Sequence, residues 1–244
     1  MRFNIYKEAR LSLLILSIVL TVCLIFYFIA TMFTSMGYKG FKTANSIVPF
    51  EYSIPMVIID AGHGGEDPGA VAGGLVEKDL NLEIAKLLNE ILISNGYKTR
   101  LTRTDDILLY KNGEENRKKY YDVRNREKIA NEYNDAIFIS IHMNKFPASY
   151  CKGLQTFYSI DNTLGKILAE HIQNCSRRLQ IDNKRVVING KDSIYLLENL
   201  KMPSALVECG FLSNKEDSDL LKLSDYKVAL AMSIYCGIAE YLEN

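Results

Sequence analysis

Residues Met56 to Asn81 read MVIIDAGHGGEDPGAVAGGLVEKDLN. Met56 to Ile59 is a short apolar, largely β-branched run ending in Asp60; a glycine-rich loop carrying His63 follows, then Glu77 and an amphipathic stretch. The order is strand, polar loop, helix. In open α/β sheets ligands bind in the crevice beyond the carboxyl ends of the strands, so His63 is well placed for chemistry. A dinucleotide fingerprint would need G-x-G-x-x-G, but Asp67 stands where the third glycine belongs, and the Gly-Lys-Ser/Thr of a P-loop is missing. A metal site using His63 and Glu77 stays open, provided a further ligand comes from elsewhere.

The chain has only three histidines, which makes the search short. His142 follows the apolar run Ala136 to Ile141, repeating the arrangement at His63, and a third run, Pro203 to Val207, leads directly into Glu208. If these strands are parallel, all three groups emerge at one pole of the sheet. Two imidazoles and a carboxylate with one position left for water suit a catalytic zinc, with Glu208 as the neighbouring acid/base. A lone histidine after a strand is more often an ordinary surface residue; two equivalent placements out of three shift that balance. His171 falls in line with Leu164, Leu168, Cys175 and Leu179 on a helical stripe and reads as a packing residue at the edge of the core.

DAGHGGEDPGA, Glu77-Lys78-Asp79, Ser140-Ile-His-Met-Asn144 and Val207-Glu-Cys-Gly-Phe-Leu-Ser-Asn214 together resemble the signature of the zinc-dependent N-acetylmuramoyl-L-alanine amidases of bacterial cell walls, over about Met56 to Leu242. The resemblance implies that His63, Glu77 and His142 hold Zn2+ and that Glu208 is the catalytic carboxylate. It implies hydrolysis of the amide between N-acetylmuramic acid and L-alanine in peptidoglycan, with an activating protein partner. Gly153-Leu-Gln-Thr-Phe-Tyr158 departs from many relatives, which place a glutamate at Gln155, and looks more like the amidases of spore cortex and germination. That narrower likeness implies stem-peptide removal leading toward muramic-δ-lactam. The alternative is a non-catalytic, membrane-tethered peptidoglycan-binding scaffold.

Leu11 to Phe33 is almost wholly apolar and exceeds the roughly 20 residues that span a bilayer. It is longer than the apolar region of a cleaved signal and has no A-x-A site, which favours an uncleaved anchor. Expected boundaries are a cytoplasmic segment 1–10, a transmembrane helix 11–33, a linker 34–55 and a catalytic domain 56–244. Arg2, Lys7 and Arg10 before the span against Lys39 and Lys42 after it favour, mildly, a single-pass protein with its domain outside the cell membrane, in the space around the developing spore if the cortex likeness holds. Twenty-nine basic and 29 acidic residues leave no electrostatic footprint for nucleic acid. The five cysteines lack C-x-x-C spacing, and Cys209 should point away from Glu208, into packing.

The expected fold class is α/β: one domain with a mostly parallel, twisted central sheet flanked by helices on both faces, preceded by the membrane helix. Asp79 is expected to cap a helix carrying Leu80, Ile84, Leu87, Leu88 and Ile91, and Tyr97 to Leu101 to be the next strand. The charged run Lys111 to Lys119 reads as a solvated loop, Asp122 to Asn131 as a helix, and Val186 to Leu197 as a hairpin or substrate-side loop. Asp60 is expected either to orient a ligand imidazole or to cap the loop backbone. Asn144 and Arg103 read as turn and surface-pairing residues.

Overall fold

The computed structural model describes residues 20–28, 31, 54–190 and 194–243. Residues 20–28 form a helix, α1, with exposed side chains; the rest of the expected span 11–33, the segment 1–10 and nearly all of the linker lie outside the described residues. Among the described residues no helix is long and apolar enough to cross a membrane.

The apolar runs are strands. In chain order the domain contains β1 (Met56–Ala61), β2 (Val71–Ala72), β3 (Leu75–Val76), α2 (Glu77–Ser94), β4 (Thr99–Leu101), a 3-10 turn (Glu115–Arg117), α3 (Lys118–Ala130) and β5 (Ala136–Asn144). β6 (Gln155–Tyr158), α4 (Thr163–Leu179), β7 (Ile188–Asn189), α5 (Tyr195–Asn199), β8 (Ser204–Phe211), α6 (Lys215–Leu221) and α7 (Ser224–Leu242) complete it. Six strands form one sheet in the order β4-β1-β5-β8-β6-β7. β4, β1, β5 and β8 run parallel, so their carboxyl ends share one pole, while β6 is antiparallel to β8. The strand–helix–strand unit β1-α2-β4 is of the kind that is almost always right-handed.

Both faces of the sheet are covered, as its near-continuous apolar strands require. Val57, Ile59, Ile137, Ile139, Ala205 and Val207 pack with residues of α2, α4 and α7 in one core, and Ile58 and Phe138 pack with Ala130, Leu196 and Leu200 in another. Each fully buried Ile or Leu contributes roughly 1.5–3 kcal/mol. Cys209 is fully buried in the first core, on the face away from Glu208, as alternation along a strand demands. His171 is half-buried beside Glu240 and Tyr241, but Leu164 on its supposed stripe is exposed.

Local expectations fail where polar residues act in place of apolar periodicity. Helix α2 starts at Glu77 with Val76 at its cap position and no capping side chain, so Asp79 lies within the first turn. The charged run is a loop only up to Glu114; it then becomes the 3-10 turn and the start of α3. Among the described residues around 186–197 no hairpin forms: β7 joins the sheet edge parallel to β6, and Tyr195 begins α5.

Gly237 sets how closely α7 approaches α4, because a Cβ there would sit 2.5 Å from Ile172 Cα and 2.7 Å from Ile172 N. Those are backbone atoms, which cannot swing aside. Gly237→Val should lower stability by about 1–3 kcal/mol through overpacking, read as a shifted urea midpoint with an unchanged slope.

Candidate active site

His63 is the first residue to place, and its backbone is unusual. It has φ of 60°, in the left-handed region, where a non-glycine residue is disfavoured by about 1–2 kcal/mol. Two buried arginines hold the loop in this shape. Arg126 Nη1 donates to the Ala61 carbonyl at 2.6 Å and its Nη2 to the His63 carbonyl at 2.7 Å. Arg103 donates from Nε to the Ala61 carbonyl at 2.8 Å and from Nη2 to the carbonyls of Gly62 and Lys78. Arg103 is therefore a buried loop anchor and not a surface-pairing residue.

Asp60 touches neither imidazole, which corrects the first expectation for it, and it does not cap the loop directly either. Its carboxylate accepts from Arg126 Nη1 at 2.7 Å, Thr102 Oγ1 at 2.7 Å and Ser140 Oγ at 2.6 Å. Burial alone would raise its pKa; the Arg126 charge and these hydrogen bonds outweigh that and hold it below the usual carboxylate range. The carboxylate that does orient His63 is Asp67, whose Oδ2 lies 2.8 Å from Nδ1 while Lys119 Nζ lies 2.6 Å from Oδ1. Its only sequence signal was the spacing of four from His63.

Glu77 enters from the start of α2, where the helix dipole favours a negative charge. Its Oε1 lies 3.2 Å from His63 Nε2 and 2.9 Å from His142 Nδ1, and accepts from the Met143 amide at 3.1 Å. Oε2 accepts from the Ala70 amide at 2.6 Å. The buried Asn81 donates to the Gly62 carbonyl and to Glu77 Oε1. Two glycines make room. A Cβ at Gly62 would lie 2.1 Å from His142 Nε2, and one at Gly69, whose φ is +66°, would lie 2.5 Å from Glu77 Oε2.

The donor atoms of His63, Glu77 and His142 thus lie within 4.8 Å of one another, and this is the one such cluster among the described residues. Two nitrogens and a carboxylate oxygen are a donor set that zinc accepts, and Asp67 supplies the outer carboxylate that ligating histidines commonly use. The residues present fit the ion. Burial disfavours the charged form of His63, but hydrogen bonds and charge from Glu77 and then Asp67 raise its pKa to about 8. The imidazoles in turn overcome burial at Glu77 and push its pKa strongly down.

Glu208 is the register partner of His142 on the neighbouring strand, roughly 5 Å across the ladder. The residue is partly open, yet Oε2 is enclosed and without a hydrogen-bond partner. Burial, reinforced by the Glu77 charge and opposed by the two histidines, raises its pKa to about 7. The four residues expected at the site do meet at one pole. Asn144 ends β5, where its carbonyl accepts from the Leu212 amide at 2.8 Å.

Comparison with known proteins places this geometry. The family model for N-acetylmuramoyl-L-alanine amidase matches residues 57–240. The germination-specific N-acetylmuramoyl-L-alanine amidase of Bacillus subtilis is 37% identical over 196 residues, covering 78% of this chain and 82% of that protein. The CwlD amidase of Clostridioides difficile, solved in complex with the GerS lipoprotein, superposes with a TM-score of 0.74 at 41% identity, over 78% of this chain and 98% of that one. The amidase AmiC2 of Nostoc punctiforme gives 0.66 at 34% identity, over 78% and 98%.

Removing the Asp67 carboxylate should loosen the His63 ring. Asp67→Ala is expected to weaken zinc binding about 10–100-fold, measured by chelator competition, with the far-ultraviolet spectrum unchanged. A second expectation concerns pH. The folded, metal-free His63 has a pKa near 8 against 6.5 when unperturbed, so its stabilisation is complete below about 6.5 and is lost as pH rises through about 8. Urea unfolding of chelator-treated protein should show a loss on the order of 2 kcal/mol across that window. A flat profile there would exclude the Glu77–His63–Asp67 arrangement in the metal-free state.

Proposed function

This chain belongs to the N-acetylmuramoyl-L-alanine amidase family and is a hydrolase acting on peptidoglycan; from that premise we propose that it works as a zinc enzyme on spore cortex. The observation that carries the zinc reading is the convergence of His63, Glu77 and His142 beside an enclosed, unpartnered oxygen of Glu208. His63, Glu77 and His142 would hold the ion through Nε2, a carboxylate oxygen and Nδ1. Zinc, when bound there, polarises the amide carbonyl and acidifies a water.

The chain's own groups do the rest. Glu208 accepts a proton from the attacking water as the new carbon–oxygen bond forms at the lactyl carbonyl. When the carbon–nitrogen bond breaks, Glu208 returns that proton to the departing amine of L-alanine. A carboxyl with a pKa near 7 can serve in both directions at neutral pH. Cationic charge held by the three ligands would lower it somewhat and keep it ionised for the first step.

The cortex assignment rests on likeness: the B. subtilis relative is named germination-specific, and Gln155 sits in the strand whose sequence resembles that group. Removal of stem peptides there prepares muramic acid for conversion to the δ-lactam by a second enzyme. Localisation follows from the apolar stretch Leu11 to Phe33, which we read as a single-pass anchor with the catalytic domain outside the membrane, in the space around the developing spore. The C. difficile relative was solved with a lipoprotein, and we propose that this chain also works with an activating protein partner.

Glu208→Gln should keep the metal and lose roughly 10²–10⁴-fold in turnover. Metal content and release of free amino-terminal alanine from purified cortex, followed by mass spectrometry of muropeptides, check both halves. A zinc-loaded Gln variant with wild-type turnover would sink the role given to Glu208.

A further inference from the structure

Beside Glu208, on the side away from His142, the sheet carries Gln155 as the next member of the same register row. Gln155 is buried, and its amide is committed: Nε2 donates to the Val186 carbonyl at 3.0 Å, while Oε1 accepts from Arg185 Nη1 at 2.6 Å. Arg185 is further fixed by Nε donating to the Lys152 carbonyl at 2.7 Å and by stacking over the Phe211 ring, 4.4 Å from its centroid. A long side chain is thus held at the catalytic pole at little further cost in entropy.

Among the described residues Arg185 lacks a counter-charge. Its neighbour Gln155 is neutral. Nearby, Glu216 is paired with Lys152 at 2.6 Å, and the Asp217 carboxylate accepts from the amides of Gly153 and Phe211, each at 2.8 Å. Among the described residues no carboxylate pairs with Arg185, and its Nη2 has no hydrogen-bond partner. Arg185 also lines a groove of about 720 Å³ shared with Tyr150, Gly153, Gln180, Ile181 and Tyr226. It therefore connects the neighbourhood of Glu208 to a space large enough for several residues of peptide. Crossing two strand spacings puts Gln155 roughly 10 Å from His142, the reach of about three extended units, which the lactyl group, L-alanine and the residue after it together supply.

We propose that Arg185 is a specificity residue that binds a carboxylate of the stem peptide, the free α-carboxylate of the acidic residue following L-alanine. The proposal rests on the amidase reading. A guanidinium offers a planar fork for a carboxylate and nothing comparable for a carboxamide, so the contact discriminates a free from an amidated stem.

The test uses two synthetic substrates, N-acetylmuramoyl-L-alanyl-D-glutamate peptides with that α-carboxylate free or amidated, and the zinc-loaded protein. Wild type should favour the free acid by roughly ten- to a hundred-fold in kcat/KM, mostly through KM. Arg185→Ala should bring the ratio close to one, and Arg185→Lys should restore part of it. Because the ratio is taken within each variant, differences in folding or metal loading cancel. Equal rates for wild type on both substrates, or an unchanged ratio in Arg185→Ala, overturn the proposal while leaving the amidase reading intact. A wild type that cleaves neither, also with a lipoprotein of the kind seen with the C. difficile relative supplied, overturns both.

Discussion

Arg126 is among the largest fully buried side chains of the described residues, and it stands where α3, the end of β1 and the His63 loop meet. From α3 it donates to Asp60 at the end of β1, to Asp122 one turn back on its own helix, and to the carbonyls of Ala61 and His63. Asp60 is shared with Thr102, just past β4, and with Ser140 on β5. A buried pair of this kind adds little net stability, since desolvation offsets most of its attraction, but removing one partner costs about 3–5 kcal/mol. Its value is positional. Three strands and a helix are pinned to a loop whose left-handed histidine would otherwise relax.

The two halves of the site are then assembled by different physics. Sheet register supplies His142 and Glu208, neighbours on parallel strands that no loop motion can separate. The polar network and the start of α2 supply His63 and Glu77. In the metal-free state Glu77 draws the two imidazoles together by charge and hydrogen bonding, so the donors are gathered before any ion arrives. Protons and metal compete for the same nitrogens, which ties zinc affinity to pH.

His63, His142 and Glu208 were legible because each follows an apolar run of strand length, and parallel strands bring their ends to one pole; Glu77 was legible from the glycine-rich loop motif that it closes. The network that holds them was not. Arg103 and Arg126 are charged residues of a type usually found in solvent, and Asp60 was expected at an imidazole or the loop backbone; all three are buried only because they satisfy one another, neighbouring hydroxyls and the loop carbonyls. For the same reason the run Lys111 to Lys119 looked like a solvated loop, although Lys118 and Lys119 tie the start of α3 to Glu66 and Asp67. Strand β7 escaped notice because a two-residue edge strand leaves no alternation to detect.

Gln155 shows why a single uncharged residue matters in such a row. Burial raises the pKa of Glu208, and its one anionic neighbour, Glu77, adds to the rise. A glutamate at 155 would place a second carboxylate across the ladder from it, and like charges that close favour protonation of one of them. It would also neutralise Arg185. The amide avoids both consequences: Glu208 stays within reach of ionisation near neutral pH, and the guanidinium beside it keeps its charge. Gln155 is therefore coupled to the base on one side and to the cation on the other.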